Sequence, residues 1–159
     1  MILYHGSNCE FDIISLEKSK NNRDFGKGFY TTTLEAQARE WAEILFLRTQ
    51  RNCPFLYEFK IDDFEGLNVK TFLKYDFEWL NFVKDNRIIG STQHSYDVVR
   101  GPVANDRTRE AIAQYLLGTY DAEYTLKLLS FMKSNDQISF HTQKAIAKLK
   151  LVRRSKWSV

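Results

Sequence analysis

The chain is poor in cysteine, in long apolar runs and in net charge. Cys9 and Cys53 are its two cysteines, with no CxxC and no metal-ligand spacing, so no metal is expected. A reduced, cytoplasmic setting is the default, and one disulfide in an exported protein is the alternative. No apolar run approaches the roughly 18–20 residues of a membrane span, so no membrane partner is expected. The opening "MILYHGSN" lacks a basic region followed by a long apolar stretch, so no signal peptide is read there. The formal net charge of +3 neither demands nor excludes a polyanionic partner. Internal repeats, low-complexity tracts and linkers are also missing.

What is present suits one domain over residues 1–159, long enough to bury a core. "MILYH" reads as a strand and residues 6–24 as a loop with one helical turn. "GKGFYTT" gives a glycine turn and a short strand. Thr32 and Glu35 match a capping box, placing a helix start near Thr33. Leu34, Ala38, Trp41, Ala42 and Leu45 then recur on one helical face as far as Arg48. Strands follow at 54–62, 67–72, 95–101 and 136–142, and helices at 75–87, 106–118 and 121–135. "QKAIAKLK" is a short helix and "LVRRS" a last strand. The basic end, Lys150 to Trp157, reads as a solvated tail or edge strand. Strands and helices mix without steady βαβ alternation, so the fold class is α+β.

Residues 24–42, "DFGKGFYTTTLEAQAREWA", carry more than a surface loop needs. Two glycines flank Lys27, and Tyr30 and Trp41 stand eleven positions apart. The stretch reads as half of a nucleotide pocket. "LYHGS" places His5 at a strand end before Gly6 and Ser7. Each signal alone is weak. His5 also fits a satisfied, half-buried histidine, Gly6 a plain turn, Lys27 a solvated side chain, and the two aromatics core packing.

Together, "YHGS" and "FGKGFYTT…AREWA" resemble the NAD-binding core of the ADP-ribosyltransferase superfamily. They are most similar to the branch shared by diphtheria toxin and the poly(ADP-ribose) polymerases. "YDVVRGPVAND" and "DQISFHTQKAI" further resemble a compact bacterial family of that superfamily, often encoded beside a small partner. The resemblance implies a split β-sheet core with flanking helices, NAD as co-substrate, and transfer of ADP-ribose to a macromolecular acceptor. It also implies a bacterial toxin paired with a small antitoxin protein. Tyr30 and Trp41 would sandwich the flat nicotinamide cation, an attraction of roughly 0.5–2 kcal/mol. The Gly6 backbone would meet its carboxamide. His5, assisted by Ser7, would orient the ribose. Gly26 and Gly28 would bring Tyr30 inward, and Lys27 would meet the pyrophosphate.

The family pattern closes with a catalytic glutamate on a late strand, and "NDQISFHT" has none. Aligning on that strand puts Asp136 in its place; aligning on the compact family favours Gln137. Alternation lets only one of them face the pocket. If Gln137 does, negative charge must come from elsewhere. Asp106, with Asn105 beside it in "GPVAND", is the candidate, although a Gly-Pro turn and a helix N-cap explain most of that motif. The candidate catalytic set is therefore His5, Tyr30, Asp106, Asp136 and Gln137. His141 and the cysteines are read as structural. Two alternatives remain open: a module of this fold that binds NAD or ADP-ribose without turnover, and an RNA-directed 2′-phosphate transferase using arginines such as Arg23 and Arg39.

Overall fold

The computed structural model describes residues 1–50, 52–90, 92–104, 106–131 and 135–159, and of Asp106 and Arg107 the backbone alone. The order is β1 (Ile2–Ser7), a 3-10 turn (Leu16–Lys18), β2 (Phe29–Thr31), α1 (Glu35–Thr49), β3 (Phe55–Lys60), β4 (Val69–Thr71) and α2 (Phe77–Ile89). It continues with β5 (Val98–Pro102), α3 (Asp106–Leu116), α4 (Ala122–Ser130), β6 (Asp136–Phe140), α5 (Gln143–Ile146) and β7 (Lys150–Lys156). The fold is α+β, with the strands in two sheets ordered β1-β3-β7 and β2-β6-β5-β4. Every strand pair is antiparallel except β4–β5. The parallel pair needs a crossover, and α2 supplies it.

Alternation along the strands divides the interior in two. Leu3, Phe55, Tyr57 and Phe59 of the first sheet pack against Phe29, Val98, Ile138 and Phe140 of the second. Val99, one residue on, points to the opposite face. There it meets Trp79, Leu80 and Val83 of α2, Ile112 of α3 and Leu129 of α4. The four-stranded sheet thus lies between the three-stranded sheet and three helices. Each fully buried apolar side chain stabilises this arrangement by about 1.5–3 kcal/mol.

Among the described residues one backbone bridge also joins the sheets. Tyr4 and Thr32 exchange backbone hydrogen bonds of 2.8 and 2.9 Å. Beside it, α1 lies directly on β1, because Gly6 has no side chain. A Cβ there would stand 1.9 Å from the Ala38 carbonyl oxygen. Ala38 and Ala42, the small residues of the apolar stripe, are buried in this contact.

The capping box expected at Thr32 and Glu35 does not form. α1 begins at Glu35, its N-cap Leu34 makes no side-chain bond, and the Thr32 hydroxyl is drawn to Asp136 instead. β7 is an edge strand with exposed basic residues, several of them paired: Lys150 with Asp62, Arg153 with Glu58, Arg154 with Glu10 and Asp12. Cys9 and Cys53 are free thiols. Among the described residues no helix is long and apolar enough to cross a membrane.

Candidate functional site

The junction of the two sheets brings β1 and β2 side by side, and with them His5 and Tyr30. His5 Nδ1 lies 2.7 Å from the Tyr30 carbonyl oxygen. A carbonyl can only accept, so Nδ1 carries the proton and donates it. Burial pulls the His5 pKa down to about 4, more than the carbonyl raises it. The imidazole is therefore neutral and fixed in one tautomer. Phe29 packs on it with ring centroids 4.4 Å apart.

Tyr30 closes the glycine turn on itself. Its hydroxyl donates to the Gly26 carbonyl at 2.7 Å and accepts the Phe25 N–H at 3.0 Å. Gly26 has φ +84°, which a side chain would strain. Burial, then the Asp24 charge, push the Tyr30 phenol well above its ordinary pKa, while Arg23 and Arg87 pull the other way. It stays a protonated donor.

Two more histidines hold the same turn. His94 Nε2–H donates to the Phe25 carbonyl at 2.8 Å, and its Nδ1 accepts the Tyr96 N–H at 3.1 Å. His141 Nδ1–H donates to the Lys27 carbonyl at 2.9 Å, with Nε2 2.8 Å from the Ser139 hydroxyl. Their rings meet edge to face at 4.6 Å. Burial lowers both pKa values, that of His141 to about 4. Gly28 leaves room for this ring: a Cβ there would stand 2.7 Å from His141 Nδ1. All three histidines of the chain thus donate to carbonyls between Phe25 and Tyr30. Ser7 Oγ accepts the Cys9 N–H, and Lys27 N–H donates to Thr92 Oγ1.

β6 lies next to β2 and carries the two candidates for the missing glutamate. Asp136 turns to the entry of α1, where one oxygen accepts from the Thr32 hydroxyl at 2.5 Å and from Thr33 N–H at 3.1 Å. Gln137 is buried on the other side. Its Nε2 donates to Asp24 at 2.9 Å and to the Pro102 carbonyl at 3.2 Å. Asp24 was not singled out in the sequence, yet it ties together four segments. One of its oxygens takes Arg87 at 3.0 and 2.6 Å; the other takes Gln137 and the Ala104 N–H at 3.0 Å. A buried carboxylate with four donors is a satisfied one. Asn105 and the Asp106 side chain lie outside the described residues.

Trp41 stands elsewhere, on the wall of an open cleft of about 330 Å³ between residues 20–23 and the second half of α1. The guanidinium carbons of Arg23 and Arg48 lie 6.0 and 5.7 Å from its ring centroid. Lys20, Asn21, Asn22, Leu45 and Thr49 complete that wall, and Tyr30 is not part of it. The sandwich of Tyr30 and Trp41 that the resemblance implies is therefore not formed around this cleft. Among the described residues no three His, Cys, Asp or Glu side chains are grouped to hold a metal.

No curated protein matches the chain. The family model described as protein of unknown function (DUF3990) matches residues 1–151. A match over nearly the whole length decides membership, and the chain belongs to the DUF3990 family.

Proposed function

We propose that this protein is an NAD-dependent ADP-ribosyltransferase that moves ADP-ribose from NAD to a macromolecular acceptor, as a toxin held in check by a small antitoxin protein. The observation that carries the reading is the His5 Nδ1–H bond to the Tyr30 carbonyl where two sheets meet. It sets the two residues that the motifs single out on neighbouring strands, with Gln137 on the strand after. Two sheets joined at one bridge also suit the split core that the resemblance implies.

In this reading the glycine turn takes the nicotinamide end of NAD. His5, neutral and locked, orients the ribose, with Ser7 beside it. The Gly6 backbone meets the carboxamide, and the Lys27 ammonium meets the pyrophosphate. The C1′–N bond breaks, its electron pair returns to the nicotinamide ring, and C1′ becomes oxocarbenium-like. An acceptor nucleophile bonds to C1′ and loses its proton to solvent. Gln137 supplies no charge, so the stabilising field comes from Asp24, 2.9 Å behind its amide and offset in part by Arg87.

The same pinned amide favours a second reading, a module that holds NAD or ADP-ribose without turnover. Titration calorimetry with NAD, followed by an assay for released nicotinamide, separates the two. Binding and release by wild type, both weakened in His5→Ala, support the transferase. Binding without release supports the module, and no binding removes both.

A further inference from the structure

The cleft at Trp41 has a character of its own. Lys20, Arg23 and Arg48 line it and no carboxylate does. These three cations make no ion pair among the described residues, whereas Arg39 on the same helix is held by Glu35. Two unpaired guanidiniums placed on one half-exposed indole repel a cationic ring and attract phosphate. Both guanidiniums lie over the indole, so a neutral base that stacks there takes the place of one of them and leaves its charge to the phosphate. A flat ring with phosphates around it is a nucleotide. Three separate cations call for phosphate on more than one side of that ring. A chain of nucleotides supplies this, and a lone nucleotide has phosphate on one side only. The cleft is open, so a strand can pass through it, whereas a duplex keeps its bases stacked inside.

We propose that the cleft lined by Lys20, Arg23, Trp41 and Arg48 binds single-stranded nucleic acid, with a base on Trp41 and the flanking phosphates on the cations. Arg23 joins this cleft to the turn, since its carbonyl accepts the Gly26 N–H at 3.1 Å. The bound strand is therefore placed to be the acceptor of ADP-ribose, a role that rests on the transferase reading; the binding itself does not.

The test is fluorescence anisotropy of the full chain with labelled 12-mer RNA and DNA, single-stranded and duplex. Trp41→Leu, Trp41→Phe, Arg48→Ala and Arg153→Ala are compared with wild type. The expected result is single-strand binding that weakens as salt rises, with a smaller salt slope in Arg48→Ala. Trp41→Leu and Arg48→Ala each weaken it by about fivefold or more, while Trp41→Phe and Arg153→Ala stay near wild type. No binding, binding indifferent to Trp41 and Arg48, or loss confined to Arg153→Ala on β7 overturns the proposal. Full displacement of the strand by AMP at the concentration at which AMP alone saturates the protein also overturns it, assigning the cleft to a free nucleotide. NAD calorimetry on the same preparations keeps the readings apart. Strand binding without NAD binding upholds the cleft and removes its acceptor role; NAD binding without strand binding removes the cleft proposal and leaves the transferase reading standing.

Discussion

Burial keeps the histidines that hold the glycine turn neutral. His94 uses both ring nitrogens, one as donor and one as acceptor, and a second proton would abolish the acceptor. His5 and His141 sit near pKa 4 in the folded chain, against about 6.5 unfolded. The unfolded chain therefore binds more protons between those values, and stability rises with pH across that window. It is fully present above about pH 6.5 and is lost towards pH 4, by up to about 1.4 kcal/mol per pH unit for each histidine. Urea midpoints should fall clearly from pH 7 to pH 5, and a midpoint constant over that range would contradict the assignment. Asp24 makes a second residue-scale case. Asp24→Ala leaves the half-buried Arg87, the Gln137 amide and the Ala104 N–H without their partner and should cost about 3 kcal/mol in denaturant unfolding. Asp24→Asn keeps the shape but turns its NH2 towards two of the four donors in either orientation, so it should cost less stability than Asp24→Ala and lower nicotinamide release more than NAD affinity. Equal loss of both would make Asp24 purely structural. None of this network was legible beforehand, because Arg87, Ala104 and Gln137 lie 63, 80 and 113 positions from Asp24.

At the scale of elements, α1 and β1 depend on one another through Gly6. Gly6→Ala puts a methyl group into the Ala38 carbonyl, so the helix must move or the strand must bend. The variant should unfold at lower urea and lose NAD binding with it, whereas Ala36→Ser on the exposed side of α1 should do neither. Unchanged stability in Gly6→Ala would mean that α1 slides freely over β1. Elements were the most legible part of this sequence. The strands at β1, β3 and β6 and the helices α1 to α4 stand where the sequence places them; the period of α1 and α2 marked Ala38, Ala42, Leu80 and Val83, which are buried, whereas Leu34 and Phe77 of the same faces are exposed. Asp121, not singled out in the sequence, caps α4 through Tyr124 N–H, and Gly118, at φ +76°, lies just beyond α3. The local rule failed at Thr32, where a capping box lost to a long-range partner. Asp136 lies 104 positions away and takes the hydroxyl that the box required.

Across the whole molecule the candidate site is assembled from three strands, one turn and two distant histidines. Motif order in the sequence located His5, Gly6, Gly28 and Tyr30, because a motif is local. Trp41 was located in sequence but not in setting. Its neighbours Arg23 and Arg48 come from a loop and from two helical turns onward, and together they make a phosphate-seeking surface. Arg39, marked with Arg23 for an anionic ligand, instead pairs with Glu35 and lies over Trp157 at 5.0 Å. The central claim is that this assembly transfers ADP-ribose. The most direct measurement is incorporation of label from adenylate-labelled NAD into acid-insoluble material of a bacterial lysate, with wild type and His5→Ala in parallel. Wild type should incorporate label that nuclease removes, and His5→Ala should incorporate little. No incorporation by wild type, or equal incorporation by both proteins, would contradict the account.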